Sequence, residues 1–183
     1  MKICISGMTA SGKTALGHML AKELNVEHIT KFTLESFHKA TEDAKSKKGS
    51  HLDVVQAISG RKFAKRFDDE LVELARSRKD FVVTIWLGPW LIEDATLRVW
   101  LNAPIDERAK RRAKDMKITI KEAKEMIEEK DRQNIRLFKE IQGVDITDHS
   151  IFDMELNTSK LSLSQMVSLI SMLALSKEKK IFA

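Results

Sequence analysis

The sequence lacks the features that would indicate disulfides, a cysteine-bound metal or a membrane span. Its single cysteine, Cys4, can form neither an internal disulfide nor a cysteine-based zinc site. The five histidines are dispersed, without a metal-ligand spacing such as H-E-x-x-H. The apolar tract from Met166 to Leu175 is far shorter than the roughly 20 residues of a membrane helix. The first six residues read as a strand and not as a secretory signal, so we expect a cytoplasmic protein without a membrane partner.

The composition is that of an ordinary globular chain. Hydrophobic residues make up 43% and charged residues 32% of 183 residues, which predicts one domain with a sizeable core. The net charge of +5 makes an anionic partner reasonable. Because 32 basic residues are scattered among 27 acidic ones, we favour a solvated basic surface over nucleic-acid binding. The oligomeric state stays open.

Short β-branched runs alternate with amphipathic stretches along the chain. The predicted strands are Lys2 to Ser6, Glu27 to Thr30, Asp80 to Trp86, Leu97 to Asn102 and Phe152 to Asn157. The predicted helices are Lys13 to Leu24, Leu34 to Lys47, Leu52 to Arg78, Pro104 to Asp115, Ile120 to Ile141 and Ser164 to Ser176. This alternation predicts an α/β fold in which helices cover both faces of a parallel sheet.

The first strand runs into the segment GMTASGKT, which has the spacing G-x-x-x-x-G-K-[ST] and precedes a helix. Such a loop presents backbone amides to phosphate oxygens, and its glycines allow a close approach. The predicted nucleotide-binding residues are Gly7, Met8, Thr9, Ala10, Ser11, Gly12, Lys13, Thr14 and Ala15. Lys13 is expected to reach the β- and γ-phosphates of ATP, and the Thr14 hydroxyl is expected to bind Mg²⁺. The loop alone does not specify the reaction.

Beyond the loop, the sequence resembles the archaeal-type cytidylate kinases, a P-loop NTPase family of nucleoside monophosphate kinases. The resemblance rests on VVTIWLGPW at 82–90, VWLNAPIDERAKR at 99–111 and GVDITDHSIFDMELNT at 143–158. The third segment follows the pattern Y-G-I-D-I-D-D-x-S-I-Y-D-x-x-I-N-T, which is characteristic of that family. The resemblance implies transfer of the γ-phosphoryl group of ATP to CMP or dCMP, with Mg²⁺.

The resemblance also implies an organisation for the single kinase-like domain of residues 1–183. Its five-stranded parallel core would comprise residues 1–31, 80–113 and 143–183. A helical acceptor-binding insert would span about 32–79, and a lid about 114–142. On the donor side, Arg108 and Arg111 match the R-x-x-R of the family before the lid, and either could contact ATP. Arg111 is the better candidate, and with Lys13 it is the predicted catalytic pair.

The acceptor side departs from the family pattern. Trp86 stands where the family has an arginine that grips the acceptor phosphate, and it could stack on a base or fill the core. An early Phe-Arg pair of the family becomes Phe37-His38. In the lid, the pattern R-E-x-x-E-x-x-R-Y becomes KDRQNIRLF, with Lys130, Asn134 and Leu137 at the changed positions. The predicted candidates for acceptor binding are therefore His38, Asp68, Trp86, Lys130, Arg132 and Arg136.

Three functions remain open from the sequence. The first is a nucleoside monophosphate kinase that acts on CMP or a shifted acceptor. The second is an ATP-binding switch or weak ATPase that has lost the acceptor site, because removing preorganised donors from a charge-stabilising site reduces the rate strongly. The third, an ATPase that acts on RNA, is supported only by the net charge.

Overall fold

The computed structural model describes residues 1–46 and 61–178. Five strands form one parallel sheet: β1 (Lys2–Gly7), β2 (Glu27–Ile29), β3 (Phe81–Val83), β4 (Leu97–Asn102) and β5 (Met154–Asn157). Their order across the sheet is β2-β3-β1-β4-β5, and every neighbouring pair is parallel. The predicted α/β fold with five parallel strands is confirmed.

Seven helices of the described residues connect or cover these strands. They are α1 (Lys13–Leu24), α2 (Glu35–Ser46), α3 (Arg61–Ser77), α4 (Gly88–Leu91), α5 (Ile105–Met116), α6 (Ile120–Gln142) and α7 (Leu163–Glu178). A 3-10 turn, Lys31–Thr33, follows β2. No helix in the described ranges is long and apolar enough to cross a membrane.

The two faces of the sheet bury different clusters. On one face, Ile3 and Ile5 of β1 pack with apolar residues of α1 and α7 such as Leu20 and Ile170. On the other face, β3 and β1 pack with α3 and the chain that follows β2, through residues that include Cys4. Alternate residues of one strand therefore serve opposite layers, as the two-residue period of a strand requires. Cys4 is fully buried as a small apolar residue.

The third strand is shorter than predicted. The prediction extended it from Asp80 to Trp86, but β3 ends at Val83, and the chain then enters α4 by way of a turn. Pro89 occupies the first turn of α4, where its missing amide hydrogen costs no hydrogen bond. The strand prediction is too long because buried strand residues and buried turn residues are equally apolar, so the pattern does not show where the strand ends. The predicted helical residues 47 and 52–60 lie outside the described residues.

The segments predicted as insert and lid are largely helical in the described ranges. Helices α2 and α3 fall inside the predicted insert, and α6 fills most of the predicted lid. A capping box, in which the Thr119 side chain and the Glu122 side chain each bond the other's backbone amide, starts α6. Ala109 and Ala113 of α5 pack on Ala123 and Ile127 of α6, which fixes α6 beside the phosphate loop. The division into core, insert and lid remains a prediction.

Candidate active site

The site forms at the carboxyl ends of β1, β2 and β3, where the chain leaves the sheet at three neighbouring points. In open parallel sheets this edge is where ligands bind, because adjacent connections diverge there and leave a crevice. The phosphate loop follows β1, the central strand. The 3-10 turn follows β2, and the turn that contains Trp86 follows β3.

The phosphate loop has the backbone of an anion-binding nest. Ala10 and Gly12 adopt left-handed conformations, with φ of 60° and 99°. The amides of residues 12–15 donate to no group in the described parts of the chain, so they are available at the N-terminal end of α1. A Cβ at Gly7 would lie 2.5 Å from the Leu101 carbonyl oxygen, so only glycine fits there without movement.

Lys13 folds back over the loop. Its Nζ donates hydrogen bonds to the carbonyl oxygens of Gly7, at 2.5 Å, and of Met8, at 2.9 Å. It also lies 4.7 Å from the centroid of the Trp86 ring, within cation–π distance. The pKa of Lys13 is lowered to about 7, chiefly by burial; the charge of Asp131 opposes this shift, and the charges of Lys130 and Arg108 add to it. An anion bound beside Lys13 would favour its charged form and raise this pKa.

Arg111 crosses the loop from α5. Its Nη1 donates to the Thr158 hydroxyl at 2.8 Å, and its Nη2 donates to the Thr158 carbonyl at 2.7 Å. Thr158 ends the GVDITDHSIFDMELNT segment, so part of that segment holds this arginine in place. Nη1 also lies 3.9 Å from the position that a Cβ on Gly12 would take. The guanidinium is therefore next to the predicted phosphate site.

Arg108 has a different position from the one expected. It is only 9% exposed, and it donates to the Asp131 carboxylate at 2.6 Å and to the carbonyls of Thr9 and Ala103. Nε and Nη1 of Arg108 are therefore used inside the protein, and its predicted contact with the nucleotide remains a prediction. Arg108 and Arg111 are three residues apart, so their side chains leave α5 only about 60° from each other, and the partners around each one decide where it ends.

A cavity of about 310 Å³ opens beside Lys13. The described residues that line it come from the loop, the insert, the β3 turn and α6, and six of them are aromatic: Phe32, Phe37, Phe63, Phe67, Trp86 and Phe138. Its polar lining includes Asp68, Asn134, Gln142 and the hydroxyls of Thr14, Thr30 and Thr84. Aromatic faces with a few convergent polar groups are typical of a small-molecule site.

Three predicted acceptor residues lie at this cavity. The Trp86 ring lines it and packs 5.8 Å from the ring of Phe138, so it does not merely fill the core. Asp68 accepts a hydrogen bond from Gln142 at 2.9 Å, and burial raises the pKa of its carboxyl group. Lys130 lines the cavity from α6.

Three other predicted acceptor residues face elsewhere. Arg132 pairs with Glu129 at 2.6 Å and Arg136 with Glu140 at 3.3 Å, and both arginines line a separate hollow on the outer side of α6. Neither is among the described residues that line the aromatic cavity, and their role in acceptor binding stays a prediction. His38 donates to the Phe32 carbonyl at 2.6 Å and is absent from the described cavity lining.

Several lining residues were missed by sequence reasoning. They include Lys31, Gln142 and the five phenylalanines, and also Asn134 and Leu137, which the lid pattern marks only as changed positions. Asp131, which holds the loop from outside the cavity, was missed as well. The heptad-like spacing of Lys130, Asn134 and Leu137 on one face of a helix would have placed them together. The phenylalanines gave no such signal, because their approach from the insert depends on tertiary packing.

The site contains donors that fit ATP and Mg²⁺. Free loop amides, Lys13 and Arg111 surround the predicted position of the phosphates, and the buried hydroxyls of Thr9 and Ser11 have no partner in the described structure. Thr14, at the start of α1, is exposed and lines the cavity. The described residues contain no cluster of three histidine, cysteine or acidic residues that could hold a metal. Thr14 remains the ligand that the loop pattern predicts for Mg²⁺.

The fold and this site define a P-loop kinase. The chain superposes on the shikimate kinase from Acinetobacter baumannii with a TM-score of 0.61 at 19% identity, over 96% of this chain and 93% of that one. A structure from Eubacterium ventriosum gives a TM-score of 0.72 at 16% identity, over 96% and 99% of the two chains. These likenesses are in the fold.

The sequence profile of the Cytidylate kinase-like family matches residues 2–160. The chain is 33% identical to the cytidylate kinase of Thermococcus kodakarensis over 86% of this chain and 79% of that protein. It is 32% identical to the cytidylate kinase of Sulfurisphaera tokodaii over 93% of both chains. The chain therefore belongs to the Cytidylate kinase-like family, and the expected membership of a nucleoside monophosphate kinase family is confirmed.

Proposed function

We propose that this protein transfers the γ-phosphoryl group of ATP to a nucleoside monophosphate, with CMP or dCMP as the acceptor. The proposal rests on one observation. A complete phosphate loop adjoins an aromatic cavity that is lined by Lys13, by the predicted insert and by α6. The donor and acceptor subsites therefore adjoin, as direct transfer between two bound substrates requires. The names of the relatives support a cytidine nucleotide as the acceptor.

The reaction needs little covalent chemistry from the protein. An oxygen of the acceptor phosphate attacks the γ-phosphorus, a new P–O bond forms, and the bond to the bridging oxygen of ADP breaks. Because charge is spread over the transferred group, catalysis depends on positioning and on positive charge around it. In this chain Lys13 and Arg111 supply that charge, and the loop amides fix the position of the donor.

The Thr14 hydroxyl would hold Mg²⁺ together with oxygens of the nucleotide. The ion would neutralise phosphate charge and orient the γ-phosphoryl group. The aromatic walls of the cavity would take the base of the acceptor, because a planar ring gains both area burial and stacking there.

An acceptor screen tests the proposal. The protein is incubated with Mg-ATP and CMP, dCMP, UMP or AMP, and nucleoside diphosphates are separated and quantified. We expect CDP or dCDP, with ADP formation dependent on the acceptor. Lys13→Ala should abolish the product, whereas Lys22→Ala, an exposed lysine at the other end of α1, should not. No diphosphate from any acceptor would refute the proposal.

The family membership does not favour the non-kinase switch. That alternative predicts ATP binding that requires Lys13 and hydrolysis that ignores the acceptor. The same assay therefore separates the two functions, since acceptor-independent ADP release without a new diphosphate would indicate the switch.

A further inference from the structure

The residue that follows β5 holds Arg111 at two points. Nη1 of Arg111 donates to the Thr158 hydroxyl at 2.8 Å, and Nη2 donates to the Thr158 carbonyl at 2.7 Å. Nη1 also donates to the Ser11 carbonyl of the phosphate loop over a longer distance of 3.4 Å. Because the guanidinium group is planar and both of its terminal nitrogens face one residue, its orientation is fixed as well as its distance from the loop.

Thr158 is itself fixed in place. It is buried, and its amide donates to the Asn102 carbonyl at 2.8 Å, which extends the pairing of β4 with β5 by one residue. A tight turn follows, in which the Asn157 side chain accepts hydrogen bonds from the amide and the hydroxyl of Ser159. The branched side chain of threonine has few rotamers, which favours a single direction of its hydroxyl. The end of β5 is therefore a rigid support for Arg111.

The partners of Arg111 are neutral groups. In the described parts of the chain its guanidinium donates to a hydroxyl and to carbonyl oxygens, and it forms no ion pair. Arg108, three residues earlier in α5, has the opposite arrangement, because its charge is paired with the Asp131 carboxylate inside the protein. Neutral acceptors orient a guanidinium group without cancelling its charge. The charge of Arg111 is therefore left to act on an anion at the phosphate loop.

On the basis of the proposed function, we propose that Thr158 is a positioning residue for Arg111 in phosphoryl transfer. Its hydroxyl and carbonyl hold the Arg111 guanidinium beside the phosphate loop, so that the full charge meets the γ-phosphoryl group as it is transferred. A side chain that is already oriented loses no freedom when the transition state forms, which makes its charge more effective. Without this hold, Arg111 would sample several rotamers and would face the transferred group for only part of the time.

The test compares the steady-state kinetics of Thr158→Val with those of wild type, using Mg-ATP and CMP. Valine keeps the shape of threonine but removes the hydroxyl that accepts from Nη1 of Arg111. We expect kcat to fall about tenfold, as for the loss of one hydrogen bond to a charged group, and the KM for ATP to stay within about twofold. Thr158→Ser keeps the hydroxyl and should recover most of the lost rate. Thr158→Ala, which removes the hydroxyl without a bulky replacement, should lose as much rate as Thr158→Val.

A double-mutant cycle distinguishes positioning from a merely structural role. Arg111→Ala alone should lower kcat by about 10² to 10³, as the loss of one charge-stabilising donor does in other enzymes. In that background Thr158→Val should have no further effect, because the hydroxyl acts only through Arg111. Thr147→Val is the matched control, since Thr147 is an exposed threonine of the segment 143–158 whose hydroxyl donates to Asp145 at 2.6 Å. This control should leave kcat within about twofold of wild type.

The outcomes separate this inference from the proposed function. If wild type phosphorylates CMP and Thr158→Val is equally active, the positioning role is overturned while the kinase function stands. Equal losses of rate with and without Arg111 would overturn it too, since they would indicate a structural role. A raised KM for ATP with an unchanged kcat would have the same consequence, because Arg111 would then act in binding and not in transfer.

A binding measurement covers the case in which wild type phosphorylates no acceptor and the kinase function fails. Calorimetry then measures the binding of Mg-ADP with fluoroaluminate, a mimic of the transferred phosphoryl group. Weaker binding of this mimic in Thr158→Val, but no further weakening in the Arg111→Ala background, would support the hold on Arg111. Equal affinity in wild type and Thr158→Val would overturn it.

Discussion

Asp131 and Arg108 form a buried ion pair, 2.6 Å apart, that joins the long helix α6 to the phosphate loop. The other carboxylate oxygen of Asp131 accepts a hydrogen bond from the Thr9 amide at 3.0 Å, and Arg108 donates to the Thr9 carbonyl. Both peptide groups that flank Thr9 are thus held by one charge pair. The loop that binds phosphate and the helix that carries Lys130 therefore share a single anchor.

Removing Asp131 should destabilise the fold and weaken ATP binding together. Asp131→Ala leaves the Arg108 charge buried and unpaired, which costs roughly 3 to 5 kcal/mol in other proteins. Glu129→Ala, which breaks the exposed pair with Arg132 on the same helix, should cost much less stability, because water screens that pair. Urea unfolding measures both free energies, and equal losses in the two variants would contradict the role of the buried pair.

Nucleotide binding should take up a proton above neutral pH. In the nucleotide-free protein the pKa of Lys13 is about 7, against an ordinary value of 10.5, so the amine loses its proton as the pH rises through 7. Phosphate oxygens favour the ammonium form and raise this pKa. Between the two values ATP binds with proton uptake, and its affinity falls with rising pH by up to about tenfold per unit.

Calorimetry in buffers of different ionisation enthalpy measures this uptake at pH 8.5. We expect a clear buffer dependence in wild type and a smaller one in Lys13→Met. Identical heats in all buffers for wild type would contradict the lowered pKa of Lys13.

Trp86 should report the arrival of ATP. The phosphates would draw Lys13 away from the Trp86 ring, which it now approaches to 4.7 Å, and the environment of the indole would change. We therefore expect a change in tryptophan emission on adding ATP that Trp86→Phe removes. Trp90→Phe is the matched control, because the Trp90 ring packs on Phe152, 5.3 Å away, outside the cavity lining. A response that survives in Trp86→Phe and disappears in Trp90→Phe would refute this expectation.

Gly17→Ala should destabilise the protein although alanine favours helices. An added Cβ would lie 2.3 Å from Cγ2 of Thr84 and 2.6 Å from Nε2 of His28, which hydrogen-bond each other at 2.9 Å. Overpacking of this kind costs about 1 to 3 kcal/mol, which exceeds the roughly 1 kcal/mol that glycine loses to alanine in an open helix. A melting temperature at or above that of wild type would contradict this prediction, because it would show that α1 can move away from Thr84 and His28 without loss of stability.

The sequence predicted the elements better than their contacts. All five strands and six of the seven described helices were expected, because period-2 and period-3.6 patterns are local. The exception, Gly88–Leu91, is a single turn inside an apolar run, where periodicity cannot be read. The overlong third strand has the same cause.

The arginines show where prediction from sequence stops. The family pattern pointed to Arg108 and Arg111 alike, yet Arg108 closes a buried ion pair and Arg111 lies over the loop. Similarly, Arg132 and Arg136 were offered as replacements for missing charges, but they face outward and pair with glutamates. Each residue along a helix turns the side chain by about 100°. A sequence pattern that does not fix how the helix is rotated against its neighbours therefore leaves the direction of each arginine undetermined.

The sequence by itself determined the phosphate loop, the strand and helix that flank it, and the membership of the family, because these depend on residue types at fixed local spacing. Only the tertiary structure decided which cations face the cavity. It brought Lys31 from the turn after β2 and Lys130 from α6 to one rim, although 99 positions separate their numbers, 31 and 130. The physical reason is that the packing of α6 on α5, together with the buried ion pair of Asp131, fixes the rotation of α6 about its axis. That rotation determines which side chains of α6 line the cavity.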